Sequence, residues 1–425
     1  MTDKNYSEIK KCRICGNTNL VPVLDLGEMA LSGVFPKTKD EKVPISPLEL
    51  VKCSEGDGEE GSCGLLQLRH TYSLEDMYGE NYGYRSGLNA SMVKHLKEKV
   101  ERIKGICPPK EDDIILDIGS NDSTLLQSYG DEEKGYLRIG IDPTGVKFKK
   151  YYPDYISLIP NFFDAKLFKE KFPGKKAKIV TSIAMFYDLE EPMKFVKDIY
   201  DVLDDDGVWV FEQSYMPTMI KNLAYDTVCH EHLEYYRLKQ ILWMTKKLDM
   251  KIIDIEFNNI NGGSFSVMVA KNSSKLEENK ELIEKILDEE KDFGLDKNQR
   301  YLKYADDVKE HKEKLVLLLN DLKKQGKIVY GYGASTKGNV VLQYCGIDGE
   351  LLPKIAEVNK DKFGVFTPGT LIDIVSEEDA KKDMPDYMMV LPWHFKEFIV
   401  EKEKDYLDKG GKLLFPLPRI EIVES

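Results

Sequence analysis

The sequence predicts an α/β protein: a doubly wound parallel sheet, preceded by a small cysteine-rich unit and followed by a second, smaller α/β unit. Three observations predict it. Apolar strand-like runs alternate with helical patterns from residue 114 to about 212 and again from 327 onward, which is the mark of βαβ crossovers. Four of the seven cysteines fall within the first 63 residues, in turn-rich chain. At 425 residues, the chain is also longer than a single hydrophobic core usually organises.

Composition bounds the function. Hydrophobic residues make up 42% and charged residues 32%, the balance of an ordinary globular protein. A net charge of −13 argues against a nucleic-acid partner. The longest apolar runs, such as Val208–Phe211 and Tyr387–Trp393, are far too short to span a bilayer. Residues 1–15 are polar and basic, without the apolar stretch of a signal peptide. The expectation is a cytoplasmic protein with no membrane partner. Its oligomeric state stays open, and a monomer is compatible with everything in the chain. In a reducing compartment, paired cysteines are more often metal ligands than disulfides.

Taken in order, residues 1–75 carry Cys12-Arg13-Ile14-Cys15-Gly16 and then Cys53 and Cys63, flanked by short apolar runs at Val21–Leu24 and Leu48–Val51. Two cysteine pairs in such a setting point to one structural zinc held by four thiolates. Leu88, Met92, Leu96, Val100 and Ile103 recur at helical spacing and lead into a second unit, 76–274. There, the strands Ile114–Ile118, Leu137–Asp142, Lys178–Ile183 and Gly207–Glu212 form the βαβ series, and 248–257 with 264–270 read as a hairpin across Asn259–Gly263. Residues 275–325 are charged and helical, with Gly326 as the stop. The alternation then resumes with Lys327–Gly331, a helix over Gly338–Tyr344, Lys354–Val358, Met388–Leu391 and Lys412–Phe415, making 275–425 a third unit.

Three motifs carry chemistry. Asp117-Ile118-Gly119-Ser120-Asn121-Asp122 joins a strand to a helix, and a second acid, Asp142, ends the next strand. The loop has neither GxGxxG nor a Gly-Lys-Ser/Thr, so dinucleotide and P-loop readings are weak. Acids at two strand ends suit a cationic, ribose-bearing ligand, and S-adenosylmethionine (SAM) has both features. His230-Glu231-His232, beside Tyr235 and Tyr236, forms an acid/base constellation. Its spacing is not that of a helical zinc-protease motif. Finally, Gly331-Tyr332-Gly333-Ala334-Ser335-Thr336-Lys337 delivers a helix N-terminus beside a lysine, an anion site suited to a diphosphate. Tight packing of a degenerate Rossmann unit would use the same glycines.

With these motifs in hand, the whole chain resembles the sugar C-methyltransferases of deoxysugar biosynthesis. The matching strings are Cys12–Gly16, Cys63–Leu68, Tyr82–Gly87, Asp117–Leu126, His230–Tyr236, Gly262–Ser264, Gly331–Asn339 and Pro368–Thr370. The resemblance implies a class I SAM-methyltransferase domain between a zinc-binding N-terminus and a Rossmann-like C-terminal domain. It also implies methylation at carbon 3 of a nucleotide-linked 4-keto-6-deoxysugar. In that reading His232 is the base, Glu231 its acidic neighbour and Tyr84 a tyrosine near the methyl donor. Pro143, Phe162, Phe163, Ser182 and Met185 join the loop residues around the cofactor, while His230, Tyr236, Asn261 and Lys337 face the substrate. The chain departs from the pattern at Cys229, where many members carry Tyr, at Ser182-Ile183-Ala184-Met185-Phe186, where many carry an Asn-Val-x-Ala-His string, and at Ser123, which replaces a glycine. O-methylation of a nucleotide sugar, and a nucleotide-sugar binding protein without catalysis, are the alternative readings.

Overall fold

The structure is a computed structural model describing residues 6–54, 62–72, 85–130 and 135–425. Among these, three large sheets organise the chain. In the central sheet the strands run in the order Met250–Asn258, Ser264–Lys271, Leu203–Ser214, Ala177–Ile183, Ile114–Ile118, Leu137–Ile141, Ile156–Ile159. The last five are parallel, and Ser264–Lys271 is antiparallel to both its neighbours. Every residue of Ile114–Ile118 is buried, as expected where both faces of a parallel sheet are covered. The expected hairpin is present, with Asn258 opposite Ser264.

The helix Ala90–Ile106 is capped by Asn89, whose side chain accepts from the Ser91 N–H. It buries Leu96, Val100 and Ile103 against Ile115, Ile179 and Val210 on one face of the central sheet. The C-terminal sheet has the order Asp373–Ser376, Lys354–Glu357, Val329–Tyr332, Tyr387–Val390, Lys412–Phe415, Glu421–Val423, parallel except for the last strand. Its lead-in helix Asn298–Lys324 presents Tyr301, Tyr304, Val308, Leu315, Leu319 and Leu322 to the core. Gly326, with φ 70°, ends that helix in the left-handed region as the sequence suggests.

The N-terminal sheet is antiparallel: Leu20–Ala30, Ile45–Cys53, Leu66–Leu68 and then Glu234–Tyr235. The fourth strand comes from far along the chain, immediately after His230-Glu231-His232. Pairing of Glu234 with Gln67 and Tyr235 with Leu66 therefore anchors the histidine cluster on the cysteine-rich unit.

Candidate active site

The first glycine loop lies at the carboxyl end of the parallel strands. Gly119 takes φ 72°, and a side chain there would meet Met185 at 3.3 Å, so only glycine keeps this floor open. Asp142 organises the loop: one carboxylate oxygen accepts from the Asn121 N–H at 2.7 Å, and the other from the N–H and hydroxyl of Thr144 at 2.7 and 2.6 Å. Asp117 accepts from the Thr181 hydroxyl at 2.6 Å. Burial, with the charge of Asp142 adding to it, pushes the Asp117 carboxyl up to about 7. The segment before the Ala90 helix closes over the loop, the Ser86 N–H donating to Asn121 at 3.0 Å and the Gly87 N–H to Asp122 at 2.9 Å.

This loop opens onto a cavity of about 630 Å³, within the range for a small-molecule site. Asp117, Gly119, Ser120, Asn121, Asp142, Pro143, Phe162, Phe163 and Met185 line it, and so do Glu231, His232, Asn261 and Lys337. One cavity thus joins all three motifs. Asp122 and Ser182 are held just behind the wall. Asp122 faces Arg85 at 3.3 Å, and the Ser182 hydroxyl accepts from the Trp209 indole at 2.9 Å. His230 and Tyr236 lie away from the cavity as well. His230 is fully buried, edge-on to Tyr72 at 4.7 Å, with Nε2 3.3 Å from the Ser46 carbonyl. Tyr236 stacks on Phe186 at 5.2 Å. Tyr84 falls outside the described residues.

His232 is well defined. Its Nδ1 donates to the Thr227 carbonyl at 2.8 Å, which fixes the tautomer and leaves Nε2 as the bare nitrogen. Tyr187 packs edge-on against the ring at 4.5 Å. Burial, and then the positive charge of Lys337, lower its pKa to about 4, so the imidazole is neutral. Burial moves Glu231 the other way, upward, and its Oε2 has no hydrogen-bond partner among the described residues.

The lining itself runs from Ser86 to Lys337, and the N-terminal chain packs behind it. Asn339 donates to the Ser32 carbonyl at 2.8 Å, docking the N-terminal loop on the second glycine loop. Gly33 then comes so close that a side chain there would meet Glu231 Oε1 at 2.8 Å and the Thr336 hydroxyl at 3.7 Å. Ser335 caps the helix Thr336–Cys345, and Lys337 donates to the Asn261 carbonyl at 2.9 Å. The strand-end acid of this unit, Glu357, accepts from the N–H groups of Ala334, Val358 and Asn359, each at 2.8 Å, so a carboxylate of the chain itself already occupies one N–H of the glycine loop.

The motif reading missed Glu212. It is 2% exposed yet lines the cavity. Burial opposes its ionisation, but His95 at 2.6 Å and Lys99 at 2.8 Å together hold its pKa below the usual value, and Asn258 donates to it as well. The signal was present, since Glu212 is a third strand-end acid in register with Ile183 of the neighbouring strand.

The four N-terminal cysteines converge. The sulfurs of Cys12 and Cys63 are 3.5 Å apart, as are those of Cys15 and Cys53, and all four lie within 4.8 Å of one another. Zinc–sulfur bonds of about 2.3 Å in a tetrahedron place sulfurs about 3.8 Å apart, so these thiols fit a zinc ion. The long spacing between Cys53 and Cys63 is no obstacle, because the Cys53 N–H donates to the Leu65 carbonyl and brings the two segments side by side.

Three family models match the chain in tandem. "Putative zinc binding domain" matches residues 12–78, "Methyltransferase domain" 88–255, and "C-methyltransferase C-terminal domain" 259–418. The chain is 25% identical to C-methyltransferase NovU of Streptomyces niveus over 420 residues, covering 98% of this chain and 97% of that protein. Among solved structures, a SAM-dependent methyltransferase from Archaeoglobus fulgidus is 16% identical, covering 42% of this chain and 94% of its own, with a TM-score of 0.34. The YcgJ protein of Bacillus subtilis is 13% identical, covering 41% and 97%, with a TM-score of 0.32. No helix among the described residues is long and apolar enough to cross a membrane.

Proposed function

We propose that the chain is a SAM-dependent C-methyltransferase built from a zinc-binding, a methyltransferase and a C-terminal domain, and that it methylates carbon 3 of a nucleotide-linked 4-keto-6-deoxysugar in the cytoplasm. The units 1–75, 76–274 and 275–425 are the proposed division of labour: zinc scaffold, donor site, and nucleotide side of the acceptor site. The observation that carries the reading is the single cavity joining Asp117 and Asp142 to His232 and Lys337.

Bound against the first glycine loop, SAM supplies an electrophilic methyl group to a carbon nucleophile. Asp142 would accept from its ribose hydroxyls with lone pairs left by Asn121 and Thr144, and Asp117 would serve its cationic end. Phe162, 54% exposed, offers a ring face at the same wall. On the acceptor side, Nε2 of His232 takes the proton from the carbon next to the ketone. The charge that this leaves on the ring is shared through Nδ1–H with the Thr227 carbonyl. Glu231, raised by burial toward its protonated form, donates to the developing enolate oxygen. Lys337 supplies a cation for the diphosphate. With Glu357 on the Ala334 N–H and its negative charge beside the loop, the lysine is the principal anion contact in this reading.

Of the departures from the family pattern, Cys229 lines the cavity, whereas Phe186 is buried behind it among Trp209, Phe211 and Tyr236. A polar group is therefore altered at one point of the wall only, which favours carbon over oxygen methylation. Mass spectrometry of products from SAM and a panel of nucleotide-linked 4-keto sugars tests the proposal. A product methylated at carbon 3 supports it, and a methyl ether with its carbon-3 hydrogen intact replaces it with O-methylation.

A further inference from the structure

A second, much smaller cavity lies behind His232. It measures about 10 Å³ and is lined by Tyr187, Ser214, Thr227, His232 and Glu234, with apolar side chains completing the shell. That is room for about one water molecule. Two of its polar side chains have atoms without a hydrogen bond. Glu234 is 2% exposed and Thr227 3%, yet neither carboxyl oxygen of Glu234 nor the hydroxyl of Thr227 has a hydrogen-bond partner among the described residues. Arg13, between Cys12 and Cys15 in the sequence, places its guanidinium Nε 3.6 Å from Glu234 Oε1, a buried ion pair but too long for a hydrogen bond. Buried polar atoms without a hydrogen bond are costly even beside an opposite charge, and a polar pocket of this size is where a structural water satisfies them.

Thr227 is also the residue whose carbonyl holds His232 through Nδ1, and the Tyr235 hydroxyl donates to the same oxygen at 3.4 Å. We infer that the small cavity is a water site in which one bound water bridges the Glu234 carboxyl and the Thr227 hydroxyl, making Glu234 a positioning residue for His232. The bridge fixes the turn that carries Thr227, and so keeps Nδ1 protonated and Nε2 bare. This rests on the reading of His232 as the base.

Two variants and one structure test it. Glu234→Leu removes the bridge and fills the space. It should lower kcat about tenfold, the effect of one lost hydrogen bond on a transition state, while the KM of the sugar and the affinity for SAM stay within about twofold of wild type. Glu234→Gln, which still bonds a water, should recover most of that loss. A high-resolution crystal structure of the wild-type enzyme should show density for a water between Glu234 and Thr227, and this readout stands even if the leucine variant does not fold. A dry cavity, a leucine variant with wild-type kcat, or a glutamine variant as slow as the leucine one would overturn the inference. His232→Asn separates the two levels. If it keeps normal turnover, the base reading itself fails; if it is inactive while Glu234→Leu is unaffected, only the water bridge fails.

Discussion

Lys337 Nζ donates to the carbonyl of Asn261 at 2.9 Å, tying the second glycine loop to the turn between the last two strands of the central sheet. The same ammonium lowers the pKa of His232. One side chain thus bridges two units and tunes the proposed base.

Replacing Lys337 with Ala should raise the KM of the nucleotide sugar and leave SAM affinity nearly intact. It should also move the acid limb of the pH–rate profile to higher pH, because the charge that holds His232 down is gone. Steady-state kinetics across pH reads both effects. If neither substrate responds, the diphosphate is bound elsewhere.

His232→Asn should bind both ligands and lose turnover by about two to four orders of magnitude. In the wild-type enzyme, neutral imidazole is the active form. With its pKa lowered to about 4, activity on this account is flat across neutral pH and falls as the pH drops through that value. Exchange of the carbon-3 hydrogen in heavy water, measured without methyl transfer, should disappear in the variant.

Asp142→Ala should weaken SAM binding by about ten- to a hundredfold, the cost of roughly 1.5–3 kcal/mol for a charge-assisted hydrogen bond. Asp142 also holds the Asn121 N–H, so part of the loss comes from a loosened loop. Unchanged binding in calorimetry would remove this acid from the donor site.

Gly33→Ala should slow turnover without weakening SAM binding, since the new methyl group would press on Glu231 Oε1, 2.8 Å away. A variant with normal kcat would mean that Glu231 can yield without consequence, and would argue against a role for it in catalysis.

Elemental analysis should find about one zinc per chain. Cys12→Ser should lose the metal and lower the thermal stability of the N-terminal unit. Because Glu234–Tyr235 pairs with Leu66–Leu68 in the N-terminal sheet, activity should fall with the metal even though none of the four zinc-site thiols lines the large cavity.

Much of the architecture is legible from short-range pattern. The strands Ile114–Ile118 and Lys412–Phe415 coincide with apolar runs bounded by turn residues, and the helix stop at Gly326 is where a left-handed residue is needed. Other strands run further than their apolar runs. Leu203–Ser214 begins in the polar stretch Asp204-Asp205-Asp206, which the regular apolar pattern does not mark. Glu234–Tyr235 is only two residues long, and nothing local announces it, because it exists only through pairing with a segment from the other end of the chain.

By itself, the sequence determined which groups the protein can use: four thiols at spacings a zinc ion can gather, acids at strand ends, a histidine pair around a glutamate, and a lysine at a helix start. Residue type and local periodicity carry that information. Only the tertiary structure decided which of them meet. His230 and His232 are chemically equivalent in the sequence, yet the first is buried against Tyr72 and the second opens onto the cavity. Glu212 joins the site, while Asp122 and Ser182 stay behind its wall. The side of a loop that faces a cavity is set by non-local strand pairing and by which buried polar groups find partners, and neither is written in the spacing of the residues.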